Sequence, residues 1–120
     1  MTNFGPASIT AAEYAAMQAK SMREDALQAL VTAAANHHGW RSYHTHDSRR
    51  SQPGFPDLLL IHPTRQLILY RELKTQTGRV RPEQTAFLAD IATAGADVAI
   101  WRPLDWFNLT IPNLLAGTTR

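Results

Sequence analysis

Gly54-Phe55-Pro56-Asp57-Leu58-Leu59-Leu60-Ile61-His62-Pro63-Thr64-Arg65-Gln66-Leu67-Ile68-Leu69-Tyr70-Arg71-Glu72-Leu73-Lys74 is the stretch from which the fold can be read. Leu58-Leu59-Leu60-Ile61 is short, apolar and bounded by Pro56 and Pro63, which suits a buried strand. Leu67 to Lys74 reads as a second strand, so His62 to Gln66 becomes a hairpin connection. If the turn centres between Thr64 and Arg65, Asp57 falls directly across from Glu72, with Cβ atoms about 4.5–5.5 Å apart on one face. A slip of one residue would instead put the two acids on a diagonal or on opposite faces. Like charges so placed repel each other, and a hard divalent cation is the natural compensation. Mg2+ takes carboxylate oxygens and keeps waters for substrate phosphate. Side-chain direction in a strand repeats every second residue, so the Lys74 ammonium shares the face of Glu72. There it can orient a water or stabilise charge developing on phosphorus. An Asp and a Glu on paired strands are also ordinary surface residues, so the flanking sequence has to decide between the two readings.

Upstream, Thr10 to about His38 has helical spacing, with Leu27, Leu30, Val31 and Ala34 on one stripe. Thr10-x-x-Glu13 and Ser21-x-x-Glu24 both match the capping box, which predicts two short helices rather than one. Gly39 ends the region. Trp40 to His44 reads as a strand and Thr45 to Pro53 as a polar loop. Downstream, Thr75 to Arg81 is a loop containing Gly78. Pro82 suits the first position of a helix running to about Thr93, and Gly95 stops it. Asp97 to Trp101 is another strand, followed by a short C-terminal helix that Pro112 interrupts. The order α-β-β-β-α-β-α predicts an α/β fold, a mixed sheet flanked by helices. Residues 1–120 read as one domain, with 1–20 as an N-terminal helical arm.

Composition narrows the chemistry. There is no cysteine, which excludes disulfides, thiolate zinc sites, Fe–S clusters and a cysteine nucleophile. No apolar run approaches the roughly 20 residues that span a bilayer, and Met1 to Pro6 lacks the features of a secretory signal. A soluble, cytoplasmic protein with no membrane partner is the expectation. Net charge is only +2, yet Arg41 to Arg81 holds eight basic residues against three acids, leaving the outer segments acidic. Ten of the twelve basic residues are Arg, the side chain suited to forked phosphate contacts. The asymmetry points to a polyanion, or to a solvated charged face.

Gly54-Phe55-Pro56-Asp57-Leu58-Leu59-Leu60, then Glu72-Leu73-Lys74, Gly78 and Gln84, together resemble the VRR-NUC family of PD-(D/E)xK nucleases. The likeness extends to Tyr43-His44-Thr45-His46-Asp47-Ser48-Arg49-Arg50-Ser51 and to Val98-Ala99-Ile100-Trp101-Arg102-Pro103, and runs from about Ser21 to Leu115. Glu-x-Lys alone is a weak motif; the ordered combination is specific. The resemblance implies the restriction-endonuclease-like fold and phosphodiester hydrolysis with Mg2+ or Mn2+ and no covalent intermediate. Asp57 and Glu72 would be metal ligands with the Leu73 backbone carbonyl, and Lys74 the catalytic lysine. Glu24 matches the family's helical acid, and Gln84 the glutamine opening the next helix. The resemblance also implies a homodimer acting on branched, flapped or Holliday-junction DNA. The sequence departs from the pattern at Arg81, where the family usually offers a Ser or similar helix cap.

Some positions admit two readings. Glu24 either closes a capping box on Ser21 or, being in phase with Val31, turns toward the sheet and joins the metal site. Gln84 either holds a water or phosphate near the metal or merely solvates a helix end. His44 and His46 share a strand face, but no third ligand completes a zinc site. His44, Asp47, Ser48, Arg49, Arg50 and Arg79 are the candidate DNA contacts, which would position the backbone without reading sequence. His37 and His38 suit a helix C-terminus. Trp101, Trp106 and Phe107 fit a core or dimer surface better than base stacking. The expected activity is metal-dependent DNA cleavage, with a non-catalytic DNA-binding module and a ribonuclease as the alternatives.

Overall fold

In the computed structural model, which describes residues 8–45 and 53–118, the chain is helical first and then weaves a sheet. Its elements are α1 (Ala11–Ser21), α2 (Glu24–His37), β1 (Arg41–His44), β2 (Leu58–His62), β3 (Leu67–Leu73), α3 (Pro82–Thr93), β4 (Asp97–Trp101), α4 (Pro103–Phe107) and α5 (Thr110–Ala116). The strands lie in the order β1-β2-β3-β4, antiparallel except for the parallel β3–β4 pair. This is the mixed α/β architecture expected, with both terminal helical stretches divided in two.

The β2–β3 hairpin sets the register on which the site depends. Leu58 pairs with Arg71 and Leu60 with Leu69, so one more step along each strand brings Asp57 opposite Glu72. The turn closes with Gln66 N donating to the Pro63 carbonyl at 3.1 Å. Gln66 takes a left-handed conformation, φ 57°, within the four-residue connection Pro63 to Gln66, a loop length most often built around a type I turn.

Alternation then separates two faces. Leu58, Leu60, Leu69 and Leu73 are buried on one face, against Leu27, Val31 and Ala35 of α2 and Ile111 and Leu115 of α5. The α2 residues recur every fourth position and so form one stripe. Each such leucine contributes roughly 1.5–3 kcal/mol by leaving water. The opposite face carries Glu72 and Tyr70. Over it lies α3, through Gln84, which bonds Glu72, and through Phe87, whose ring meets Phe55 edge-on at 5.5 Å.

Two capping expectations come out differently. The Thr10 box forms, with Glu13 N donating to Thr10 Oγ1 at 3.0 Å and Thr10 N to Glu13 Oε1 at 2.7 Å. The Ser21 box does not form. Ser21 is the last residue of α1, its hydroxyl donates to the Gln18 carbonyl, and Arg23 is the N-cap of α2. Glu24 is therefore the first helical residue and is released from any capping role. Pro112 does not interrupt its helix either. The break falls at Leu109, φ 71°, and Pro112 lies in the first turn of α5, where a missing N–H forfeits no intrahelical bond.

Part of the basic excess is structural. Arg71 is 4% exposed; its Nη2 is 2.9 Å from Asp97 Oδ1, and its guanidinium lies 4.8 Å from the Trp101 ring centre. Burial lowers its pKa and the Asp97 charge opposes that. Arg65 Nη1 donates to the Leu114 and Leu115 carbonyls at 3.0 and 3.2 Å, closing the end of α5. These two side chains are committed to the fold rather than to a polyanion. Among the described residues, no helix is long and apolar enough to cross a membrane.

Candidate active site

The paired carboxylates open onto a cleft of about 350 Å³ at the end of the sheet, between the first turns of α2 and α3. Asp57 stands just before β2 and ties three segments together. Its Oδ2 accepts from Leu73 N at 2.8 Å, and its carbonyl accepts from Thr45 N at 3.0 Å. The N–H and C=O of one strand residue point to the same edge, so the Leu73 carbonyl opens toward the Asp57 side.

Glu72 is 1% exposed. Its Oε2 accepts from Gln84 Nε2 at 2.8 Å and stands 3.1 Å from Lys74 Nζ, whereas Oε1 is buried with no hydrogen-bond partner. Burial, then the Asp57 charge, pushes its pKa up to about 7, against the pull of Lys74. A carboxylate held in this state lacks a positive neighbour on Oε1. Glu24 lines the same cleft, and partial burial and the Asp57 charge raise its pKa too, with Lys74 opposing. Among the described residues, no three His, Asp or Glu side chains converge closely enough to hold an ion by themselves.

Gln84 resolves its two readings in an unexpected way. Its Oε1 accepts from Arg81 N at 2.9 Å while its Nε2 reaches Glu72. The donor and acceptor chemistry of these partners sets which way the amide faces. Arg81 has no side-chain acceptor with which to cap α3, so Gln84 supplies the reaching-back half of a capping box alone. Gly54 completes the frame. At φ +90°, a Cβ there would collide with the Glu83 carbonyl oxygen and come within 3.2 Å of Gln84 N. The segment leading to Asp57 thus lies flush on the first turn of α3, the same turn that holds Glu72.

The VRR-NUC domain family matches residues 8–103 of the chain. The chain belongs to the VRR-NUC family. A solved structure titled VRR_NUC domain shares its fold at a TM-score of 0.62, with 22% identity over 73% of this chain and 92% of that one. No curated protein matches the sequence. VRR-NUC domains are nuclease domains, and the matched span contains Glu24, Asp57, Glu72, Lys74 and Gln84. It stops at the start of α4.

In this VRR-NUC chain those five residues all line one cleft. His44 does not join them. It pairs with Leu58, which places it on the face opposite Asp57 and Glu72, and Thr45 is the residue beside Asp57. Arg79 is exposed outside the cleft lining, while Arg81 lies on its rim. His46, Asp47, Ser48, Arg49 and Arg50 lie outside the described residues. Thr45 went unread because the β1–β2 register spans a loop whose length gives no pairing, whereas the short Pro63–Gln66 turn gives one.

Proposed function

We propose that this VRR-NUC protein is a divalent-metal-dependent DNA endonuclease that hydrolyses phosphodiester bonds in branched, flapped or junction DNA. The observation that carries this reading is the buried, unpartnered Glu72 Oε1 beside a second carboxylate, Asp57. Mg2+ or Mn2+ fits the donor set: Asp57, Glu72 and the Leu73 carbonyl are hard oxygen donors, and Mg2+ is usually held by one or two carboxylates with waters completing its shell. Glu24 belongs at the edge of that set. Such an ion, when bound, polarises a phosphoryl oxygen and lowers the pKa of water.

The chain's own groups do the rest. Lys74 keeps its ammonium 3.1 Å from Glu72 Oε2, on the cleft side, where it can steady the attacking water and the charge growing on phosphorus. Gln84 acts on Glu72 rather than on substrate, fixing the carboxylate so that its free oxygen faces one way. Arg81 on the cleft rim and the exposed Arg79, together with the sequence candidates Ser48, Arg49 and Arg50, would seat the phosphate backbone. Two copies acting as a homodimer would cut the two strands of a symmetric junction.

The test is cleavage of supercoiled, single-stranded, flapped and four-way-junction DNA, with an RNA control, in Mg2+, Mn2+ or EDTA. Metal-dependent cutting of DNA that disappears in Asp57→Ala and Glu72→Ala supports the reading. Salt-sensitive binding without cutting in any metal marks a binding module instead, and cutting of RNA alone marks a ribonuclease.

A further inference from the structure

We infer that Arg102 is a positioning residue for Lys74, acting through the turn that follows it. This rests on the reading of Lys74 as the lysine of the nuclease site. After β3 ends at Leu73, the Lys74 N–H still donates to the Trp101 carbonyl at 3.1 Å, and the chain then leaves the sheet in a turn closed by Gly78 N donating to Thr75 O at 3.2 Å. Arg102 Nη1 sits among the carbonyls of that turn, 2.7 Å from Thr75 O, 2.9 Å from Gly78 O and 3.3 Å from Gln76 O. Nη1 carries two hydrogens, so the two short contacts are full bonds and the third is shared.

The anchor is itself fixed. Arg102 N donates to Asp105 Oδ2 at 2.8 Å, and Gln76 Oε1 accepts from Leu104 N at 2.9 Å. The turn is thereby fastened at both ends of its reach to the first turn of α4. Turn carbonyls that are not fully solvated need donors, and a planar cation meets several of them with little loss of its own freedom.

The consequence falls on Lys74. The Thr75 carbonyl is one peptide away from it, so swinging that peptide out would turn the Lys74 side chain off Glu72. Lys74 Nζ is held from the cleft by Glu72, its N–H by the Trp101 carbonyl, and the turn that begins one residue on by the Arg102 clamp. Arg102 is not among the residues lining the cleft, so its influence on catalysis passes through the lysine and not through contact with DNA.

Arg102→Met removes the clamp, and Arg102→Lys keeps a cation under the carbonyls should the first variant fold poorly. In metal-free protein, amide exchange at Gly78 should accelerate at least tenfold in Arg102→Met with Leu60 unchanged, and the Lys74 Cε NMR resonance should move toward its free value. In cleavage assays kcat should fall about tenfold or more with KM within twofold, and Arg102→Met should cost nothing further in a Lys74→Met background. Arg102→Lys should fall between wild type and Arg102→Met in every readout. Unchanged Gly78 exchange, an unmoved Lys74 resonance or multiplying losses in the double variant would each overturn the inference. A wild type that cuts nothing while the NMR effects appear sinks the nuclease reading and supports the clamp.

Discussion

Gln84 and Glu72 are joined by a 2.8 Å bond from amide to carboxylate, and the other end of the same amide is tied to the backbone of Arg81. A helix start and a strand end are thereby locked through one side chain. Gln84→Leu breaks the lock and leaves Glu72 with Lys74 as its one hydrogen-bonding contact among those described. A buried hydrogen bond to a charged group is worth about 1.5–3 kcal/mol, so kcat should fall roughly ten- to a hundredfold. KM for DNA should stay within about twofold, because Gln84 acts on the carboxylate; steady-state cleavage of a labelled junction measures both.

Glu72 gives the metal-free protein a pH dependence of defined sign. Its pKa rises from 4.5 to about 7 on folding, so the folded chain holds this proton more tightly than the unfolded chain does. The stabilisation is full below about pH 4.5 and is lost as pH rises through about 7. The whole shift corresponds to something on the order of 3 kcal/mol. In EDTA, melting of wild type should therefore decline between pH 5 and pH 8 more steeply than that of Glu72→Gln. Parallel curves for the two proteins would remove the basis for this claim.

Lys74 lowers the Glu72 pKa, so Lys74→Met should move it further up. Mn2+ binding, which requires the carboxylate, should then begin at higher pH than in wild type. At pH 9 the variant should still bind Mn2+ yet cleave at least about a hundredfold more slowly, the scale of a lost group aimed at transition-state charge. Isothermal titration at several pH values, alongside cleavage rates, separates the two effects.

Gly54 and Gly95 form a natural pair for comparison. Both have positive φ, but a Cβ at Gly95 meets nothing within 4 Å, whereas one at Gly54 runs into the Glu83 carbonyl. Gly95→Ala should cost only the left-handed strain, about 1 kcal/mol. Gly54→Ala should cost distinctly more and also lower kcat, because relief of the clash moves Asp57 away from the turn that holds Glu72. Thermal melts and cleavage rates of the two variants check the ranking.

The parts of this fold that were legible in the sequence are the local ones. Pro63 and the short turn after it set the hairpin register, and with it the meeting of Asp57 and Glu72. Pro82 and Gly95 marked the limits of α3 because one fits the first helical turn and the other the left-handed cap. Where two local signals competed, tertiary structure decided. Ser21 satisfies a capping pattern, yet its backbone belongs to α1, and Arg23 begins the next helix. The facing of His44 and Thr45 depends on a strand pair separated by a loop, and no periodicity in the sequence reports it. Arg65 and Arg71 counted toward a basic surface, but both turn onto carbonyls or an aspartate that only the folded chain brings near.

The central claim is that Asp57 and Glu72 together hold a divalent cation, and calorimetric titration of Mn2+ into metal-free protein at pH 8 tests it most directly. The account predicts one saturable site in wild type, lost in both Asp57→Asn and Glu72→Gln while each variant stays folded. Equal Mn2+ binding by wild type and the two folded variants would contradict it.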